Sequence, residues 1–273
     1  MDPATIIGIV IAFGSVVAMV TMEGAHLTAL LLPAPMVLVF GATIAVGIAS
    51  GTVKDFLVAV KALPRAFRGK IEPPQKVIDE VVRLAETARS NGLLAMEQEA
   101  EGVTDPFLKR ALQNIADGTD GDELRILLED EIATRSKQDR VAAKFFSALG
   151  GYAPTIGIIG TVVSLTHVLE NLADPGELGP MIASAFVATL WGLLSANFLW
   201  LPIGARLRRL SELDVERMNL LMEGVLAVQS GSQPRLLGER LRAMIPGGDD
   251  AKAGGKAEKA AKSAAKAPAE EAA

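Results

Sequence analysis

Cysteine is absent from this chain, which excludes disulfide bonds and thiolate metal sites. Only two histidines occur, His26 and His167, too far apart in sequence to supply a close-spaced metal motif. Basic residues are interspersed with acids and no RNA-binding aromatic motif is present, so nucleic acid is not an expected partner. The most informative scarcity is positional. Four apolar segments, residues 4–22, 34–53, 153–169 and 181–203, contain no Asp, Glu, Lys or Arg. Pumps and proton relays usually place an ionisable group at membrane depth, where it is expensive. If this chain takes part in cation movement, a partner must bring the charged group.

Basic residues are missing from one side of those segments as well. Of 27 Lys and Arg, 15 lie between residues 54 and 144 and 12 between 206 and 266, whereas the links 23–33 and 170–180 hold none. The positive-inside rule reads this as four crossings with both termini and one large loop in the cytoplasm. Half the residues are hydrophobic, 22% are charged, and mean hydropathy is +0.33, which suits a chain divided between lipid and water. About 20 helical residues cover a hydrocarbon core of roughly 30 Å, a length the first and fourth segments reach. A cleaved signal peptide would need a basic stretch first; only Asp2 precedes the run and a second span follows at once. The expected fold is an all-α membrane protein with four transmembrane helices and a helical cytoplasmic domain.

Five regions follow. Residues 1–53 hold spans one and two with a short periplasmic link, 54–150 a cytoplasmic helical domain, and 151–204 spans three and four. Residues 205–246 hold cytoplasmic C-terminal helices, and 247–273 an Ala/Lys-rich tail expected to be disordered. Asp2-Pro3 is a consistent helix start. In the large loop the apolar spacing predicts helices over 75–90, 93–101 and 107–116, then a long pattern from Asp122 toward the third span. After the fourth span, 206–229 and 235–244 read as helices parted by Ser230-Gly-Ser. Gly41, Gly47 and Gly51 are spaced to let neighbouring helices approach the second span.

What the spans do carry is hydroxyls: Thr161, Ser164 and Thr166 on the third, Ser184, Thr189 and Ser195 on the fourth. Such groups bond to their own or neighbouring backbone. They can also line a polar path, because oxygen ligands suit hard cations. His167 sits toward the outer end of its span, and Pro154 and Pro202 mark inner ends where a missing N–H can make a hinge. Trp191 and Trp200 read as packing or interfacial anchors.

Tyr152-Ala-Pro-Thr-Ile-Gly-Ile-Ile-Gly-Thr161-Val-Val resembles the third-span motif of the MotA/PomA flagellar stator family. Gly179-Pro-Met-Ile-Ala-Ser-Ala-Phe-Val-Ala-Thr189-Leu-Trp-Gly, with Ser195-Ala-Asn197 and Leu201-Pro202-Ile, resembles its fourth-span motif. Met222-Glu-Gly-Val-Leu-Ala-Val-Gln229-Ser-Gly with Pro234-Arg is similar to the segment that follows. The resemblance implies a bacterial inner-membrane stator subunit rather than an enzyme. It implies a homopentamer around a MotB/PomB-like dimer that supplies an essential aspartate, and torque delivered to the rotor protein FliG. No cofactor and no bound metal are implied, only a transported cation, and no Walker-type loop is present. By the same resemblance Arg89 and Glu97 contact the rotor, Glu99 and Glu101 add an acidic patch, and Pro154 and Pro202 couple ion binding to conformational change. Threonines at positions 161 and 189 imply sodium, His167 resembles a histidine of proton-driven members, and the balance leans to sodium. A TolQ/ExbB-like energiser of an outer-membrane system is the nearest alternative, with three spans typical there. A self-sufficient channel or transporter would have to work without an intramembrane acid.

Overall fold

The structure is a computed structural model that describes residues 4–173 and 175–245. The Asp2-Pro3 helix start and the 247–273 tail lie outside the described residues. Among the described residues every regular element is helical. Packing divides the described residues into two units, one within residues 4–70 and 134–213, the other within 71–133 and 214–245.

The first unit begins with α1 (Ala4–Met22), which leaves Val10 and Ile11 more than 60% exposed. A 3₁₀ turn (Leu27–Leu30) follows. Next come α2 (Pro33–Met36), a π segment (Val37–Ala42) and α3 (Thr43–Ala49), which together form one apolar helix, Pro33–Ala49. At about 1.5 Å per residue this helix reaches about 25 Å, short of a full hydrocarbon core. Among the described residues three helices are long and apolar enough to cross a membrane: Thr5–Met22, Gly121–Glu170 and Leu178–Gln229. The second expected span, read to residue 53, instead stops at Ala49. Thr52 there accepts a hydrogen bond from the Asp55 amide (3.2 Å), while the Asp55 carboxylate accepts one from the Thr52 amide (3.0 Å). This reciprocal cap starts a separate helix, α4 (Val53–Arg68), which the sequence reading did not separate from its surroundings.

Helix α4 is two-sided. Ala59 and Ala66 are buried and Phe56, Leu63 and Phe67 half-buried, packed in one cluster with Phe145, Phe146, Leu149, Ile203 and Leu207. Val53, Leu57 and Val60 face outward. Arg65 Nη1 reaches both carboxylate oxygens of Asp139 at 2.6 Å, fastening α4 to the long helix α8 (Gly121–Glu170). That packing is why residues 53–70 and 134–150 sort with the apolar helices and not with the rest of the loop. The chain then continues through α9 (Pro175–Leu194), a second π segment (Ser195–Trp200) and α10 (Leu201–Gln229). No break occurs at 204–205.

The second unit is built from α5 (Pro74–Asn91), α6 (Ala95–Gly102) and α7 (Pro106–Ala116). Residues 121–133 of α8, residues 214–229 of α10, and α11 (Pro234–Ala243) complete it. The predicted stripes form its core: Val77, Val81, Leu84, Leu108, Leu112, Ile115, Leu124 and Leu128 are all within 1% of full burial. Each such side chain contributes about 1.5–3 kcal/mol. Gly92, Gly118 and Gly231 take positive φ (82°, 77° and 73°) and end helices where the sequence placed stops.

Candidate functional site

Helices α8 and α9 touch backbone to backbone along a seam of small residues. A Cβ on Gly157 would lie 2.9 Å from Ala188 O, and one on Gly192 would lie 2.7 Å from Ala153 O. One on Gly160 would meet the Ala188 Cβ at 2.8 Å. Side chains therefore cannot separate the two backbones here, which is the usual device for close approach between apolar helices. The sequence reading had assigned this role to Gly41, Gly47 and Gly51. Of these only Gly47 meets another helix, against Leu149 and Phe145; Gly41 has nothing within 4 Å and Gly51 meets only Asp55 of its own turn.

The seam brings together the two threonines chosen from sequence. The Thr161 hydroxyl lies against the Thr189 hydroxyl. It also lies 3.2 Å from Gly157 O and 3.1 Å from Ala185 O. One proton cannot serve both carbonyls, so the cluster has more oxygen lone pairs than protons. That is an oxygen-rich, half-buried pair with the chemistry of a hard-cation ligand. Two other span hydroxyls bond back to their own helices: Thr166 to Val162 O at 3.0 Å and Ser195 to Gly192 O at 3.3 Å. His167 is far from burial, 3.7 Å from the Glu170 carboxylate on the same helix, so the structure gives it a surface setting.

Pro154 lies inside an uninterrupted α8, and Pro202 opens α10 directly after the second π segment. Pro202 offers no N–H to Phe198 O, and the Leu201 amide bonds to Ala196 O, five residues back. The same helix pair carries both prolines: a Cβ on Gly150 would meet Leu201, and one on Gly204 would lie 2.8 Å from Ser147 Oγ. Trp191 has a defined task, its indole N–H donating to Leu30 O at 2.7 Å.

In the second unit, Arg89 lies in the last turn of α5 and Glu97 in the first turn of α6, with Gly92 between them. Each charge suits its helix end. Both side chains are exposed, and no ion pair with either is found among the described residues. Their neighbours differ. Arg83 holds Glu99 at 2.7 Å, Arg110 pairs with Glu131, and Glu223 takes Arg125 at 2.8 Å and Arg240 at 2.9 Å. Glu99 is thus engaged within its own unit, while Glu101 is exposed. Leu94, 77% exposed, stands between Arg89 and Glu97 along the chain, a feature the sequence reading passed over. In the same unit, Arg217 pairs with Asp105 and reaches Asp214 at 3.3 Å. Burial lowers the Arg217 pKa, but the Asp105 and Asp214 carboxylates outweigh it and the net shift is upward. Asp105 also caps α7, accepting from Phe107 N at 2.8 Å.

An apolar helical unit with a small-residue seam and a hydroxyl pair, joined to a charged helical unit, defines a class of membrane protein. Residues 99–220 match the MotA/TolQ/ExbB proton channel family, and residues 6–92 match the family described as Motility protein A N-terminal. The chain is 32% identical to motility protein A of Bacillus subtilis (strain 168), over 91% of this chain and 93% of that one. It is 31% identical to chemotaxis protein PomA of Vibrio alginolyticus, over 89% and 94%. The solved C. jejuni MotAB structure superposes with a TM-score of 0.86 at 26% identity, covering 90% of this chain and 96% of that one. The MotAB stator complex from Bacillus subtilis gives 0.83 at 31% identity, covering 90% and 97%. The chain belongs to the motility protein A family.

Proposed function

We infer that this chain is a flagellar stator subunit that, with a MotB-like partner, passes ions across the inner membrane and converts ion-motive force into torque on the rotor. The observation that carries this reading is the Thr161–Thr189 hydroxyl pair, set with two carbonyls in apolar segments, residues 153–169 and 181–203, that contain no acid. Neutral oxygens can ligate a cation but cannot balance its charge, so a carboxylate must arrive on another chain. The motility names of the relatives favour this reading over an ExbB-like energiser of an outer-membrane system.

In this reading the four apolar segments cross the bilayer, with Pro33–Ala49 accommodated by local thinning or by its flanking residues. Both termini, the 54–150 region and the 205–246 helices face the cytoplasm, and five copies surround a partner dimer that supplies the aspartate. Thr161 and Thr189 line the ion path, with sodium favoured over protons. Pro154 and Pro202 couple occupancy to movement. Arg89 and Glu97, uncommitted within their unit, face FliG, with Glu101 as an added acid; Glu99 joins only by releasing Arg83. The energy comes from the gradient and not from a bound nucleotide, so no enzymatic step is assigned.

Liposomes holding this chain with its partner should take up sodium down a gradient, while liposomes holding this chain alone should not. Flux through the chain alone would replace the stator reading with a self-sufficient channel. Swimming speed with sodium withdrawn at constant pH then decides the cation.

A further inference from the structure

One end of the first unit carries charge of a single sign that the unit does not balance. Residues 54–70, 134–150 and 201–213 hold 12 Lys and Arg against three acids, Asp55, Asp139 and Glu212. Each acid is already committed nearby: Asp55 to the cap at Thr52, Asp139 to Arg65, and Glu212 to Arg208 and Arg209. Among the described residues no ion pair engages Lys54, Lys61, Arg68 or Lys144, and all four are exposed. Bases gathered this way repel one another and draw anions from outside the chain.

Helix α4 sets part of that excess beside an apolar stripe. Lys54, Lys61 and Arg68 recur every seven residues and share one face, while Val53, Leu57, Val60 and Pro64 form the neighbouring stripe. Val53 is 66% exposed and Leu57 50%, although neither has a polar group to offer water. The packed face is a third one, with Ala59 and Ala66 in the cluster shared with α8 and α10. A helix apolar on one stripe and basic on the next suits a bilayer surface, where acyl chains meet phosphates. Its place along the unit agrees. The preceding helix, Pro33–Ala49, falls about 5 Å short of a hydrocarbon core, and Val53 follows three residues after its end. The Phe56 ring lies 5.7 Å from Phe145, the neighbour of Lys144. A Cβ on Gly204, two residues before Arg206, would lie 2.8 Å from Ser147 Oγ. The three helices therefore place Lys54, Lys144 and Arg206, the bases nearest their apolar segments, at a common level.

We propose that this face of α4 is a binding site for anionic phospholipid of the cytoplasmic leaflet. Val53, Leu57 and Val60 meet the acyl chains, and Lys54, Lys61 and Arg68 meet the headgroup phosphates. The long stems of the bases cross apolar surface while their charges stay among the phosphates. A second copy of this chain is the wrong occupant, because it brings the same uncompensated bases to the same depth. Anionic lipid brings the opposite charge, and each base near such a surface strengthens binding by about fivefold. The site makes up the short second span and holds the unit at a fixed depth. This inference rests on the membrane orientation given above, with α4 on the cytoplasmic side, and not on the passage of ions.

The test uses the complete complex in vesicles of phosphatidylglycerol and phosphatidylcholine, and the lack of cysteine in this chain gives a clean labelling background. A nitroxide on Leu57→Cys, read against the unsubstituted complex treated identically, should collide with oxygen more often than with a water-soluble nickel chelate. Shielding from both would mean that protein covers the stripe, and preference for the chelate that water does; either result overturns the proposal. With the unlabelled complex, spin-labelled phosphatidylglycerol should be immobilised in preference to spin-labelled phosphatidylcholine. Lys54→Gln, Lys61→Gln and Arg68→Gln should each lower that preference, by up to about fivefold, while Lys61→Arg and Arg68→Lys should keep it. An unchanged preference in the triple Gln variant would overturn the site. Inorganic phosphate should compete no better than sodium chloride of equal ionic strength; specific competition would make the ligand a soluble anion and not a lipid. A lipid-immersed Leu57 label in a complex that passes no ions would keep this site and sink the stator reading. A water-exposed label in a complex with normal ion flux would sink this inference alone.

Discussion

The Thr161 and Thr189 hydroxyls join α8 to α9: they meet each other, and Thr161 also meets a backbone carbonyl of each helix. Replacing either with Ala removes one hydroxyl oxygen from the seam between the two helices. Cation-dependent swimming is expected to fall at least about tenfold while membrane level holds, roughly the effect of one hydrogen bond to a charged group. Motility assays beside immunoblots check this. A second expectation concerns Glu80, on α5. Burial, and then the nearby Glu72 carboxylate, raise its pKa, with Asp105 adding and Arg83 and Arg217 opposing. Its charged form is therefore disfavoured in the folded protein. Its contribution to stability is full below the ordinary glutamate pKa and is lost as pH rises through the raised value. Glu80→Gln should raise the unfolding temperature of the purified protein at pH 7, and the gain should vanish as the solution is acidified through the usual glutamate range. At this scale sequence disclosed the threonines, since hydroxyls stand out among aliphatic neighbours. It read Trp200 as a packing or interfacial anchor but did not disclose that its indole N–H and the Thr43 hydroxyl are buried with no hydrogen-bond partner, since partners are a property of packing.

Helices show where pattern reading succeeds and where it fails. The α5, α7 and α8 stripes were legible because a core on one side and water on the other enforce a helical period. Helix α4 was not, because Lys54 read as the close of a span and only three residues separate the end of α3 from the start of α4. Its signal was present in the Thr52 and Asp55 spacing, which is a capping pattern. The glycine seam was also misplaced: which glycine faces a neighbour depends on helix rotation, and that is set by tertiary contacts. Gly192→Leu should therefore abolish assembly with the partner, since even a Cβ there lies 2.7 Å from Ala153 O. Gly8→Leu on α1, with nothing within 4 Å, should leave the isolated subunit's folding unchanged. Detergent-solubilised size-exclusion profiles separate the two outcomes. In the second unit, Arg217→Ala removes the cation shared by Asp105 and Asp214, and a loss of about 3 kcal/mol is expected on thermal or denaturant unfolding.

Over the whole molecule, charge is sorted more strictly than hydrophobicity. Most described arginines of the second unit are paired, and Arg89 with Glu97 stand apart. Exposed charges contribute little to stability but steer association. Arg89→Glu should thus impair rotation while leaving membrane insertion and unfolding temperature unchanged; equal loss of all three would make it a folding residue. Adding Glu97→Lys should recover part of the rotation only if one partner surface reads both charges. The distribution of Lys and Arg and the helical class were legible before any coordinates, because lipid and water impose them on composition; the family was legible only through the resemblance of its third- and fourth-span motifs. The division of the loop between two packing units was not, since it depends on Ala59, Ala66 and Phe145 meeting in space.

The crowding between Ala153, Gly157, Ala188 and Gly192 has a practical corollary for anyone seeking to alter ion preference by directed evolution. With atoms already at van der Waals limits, those four codons are a poor place to diversify, because almost any enlargement would be scored as a dead clone. Randomising positions 161, 164, 184 and 189 instead explores chemistry on an intact frame. Survivors from such a library would report selectivity and not merely the capacity to fold.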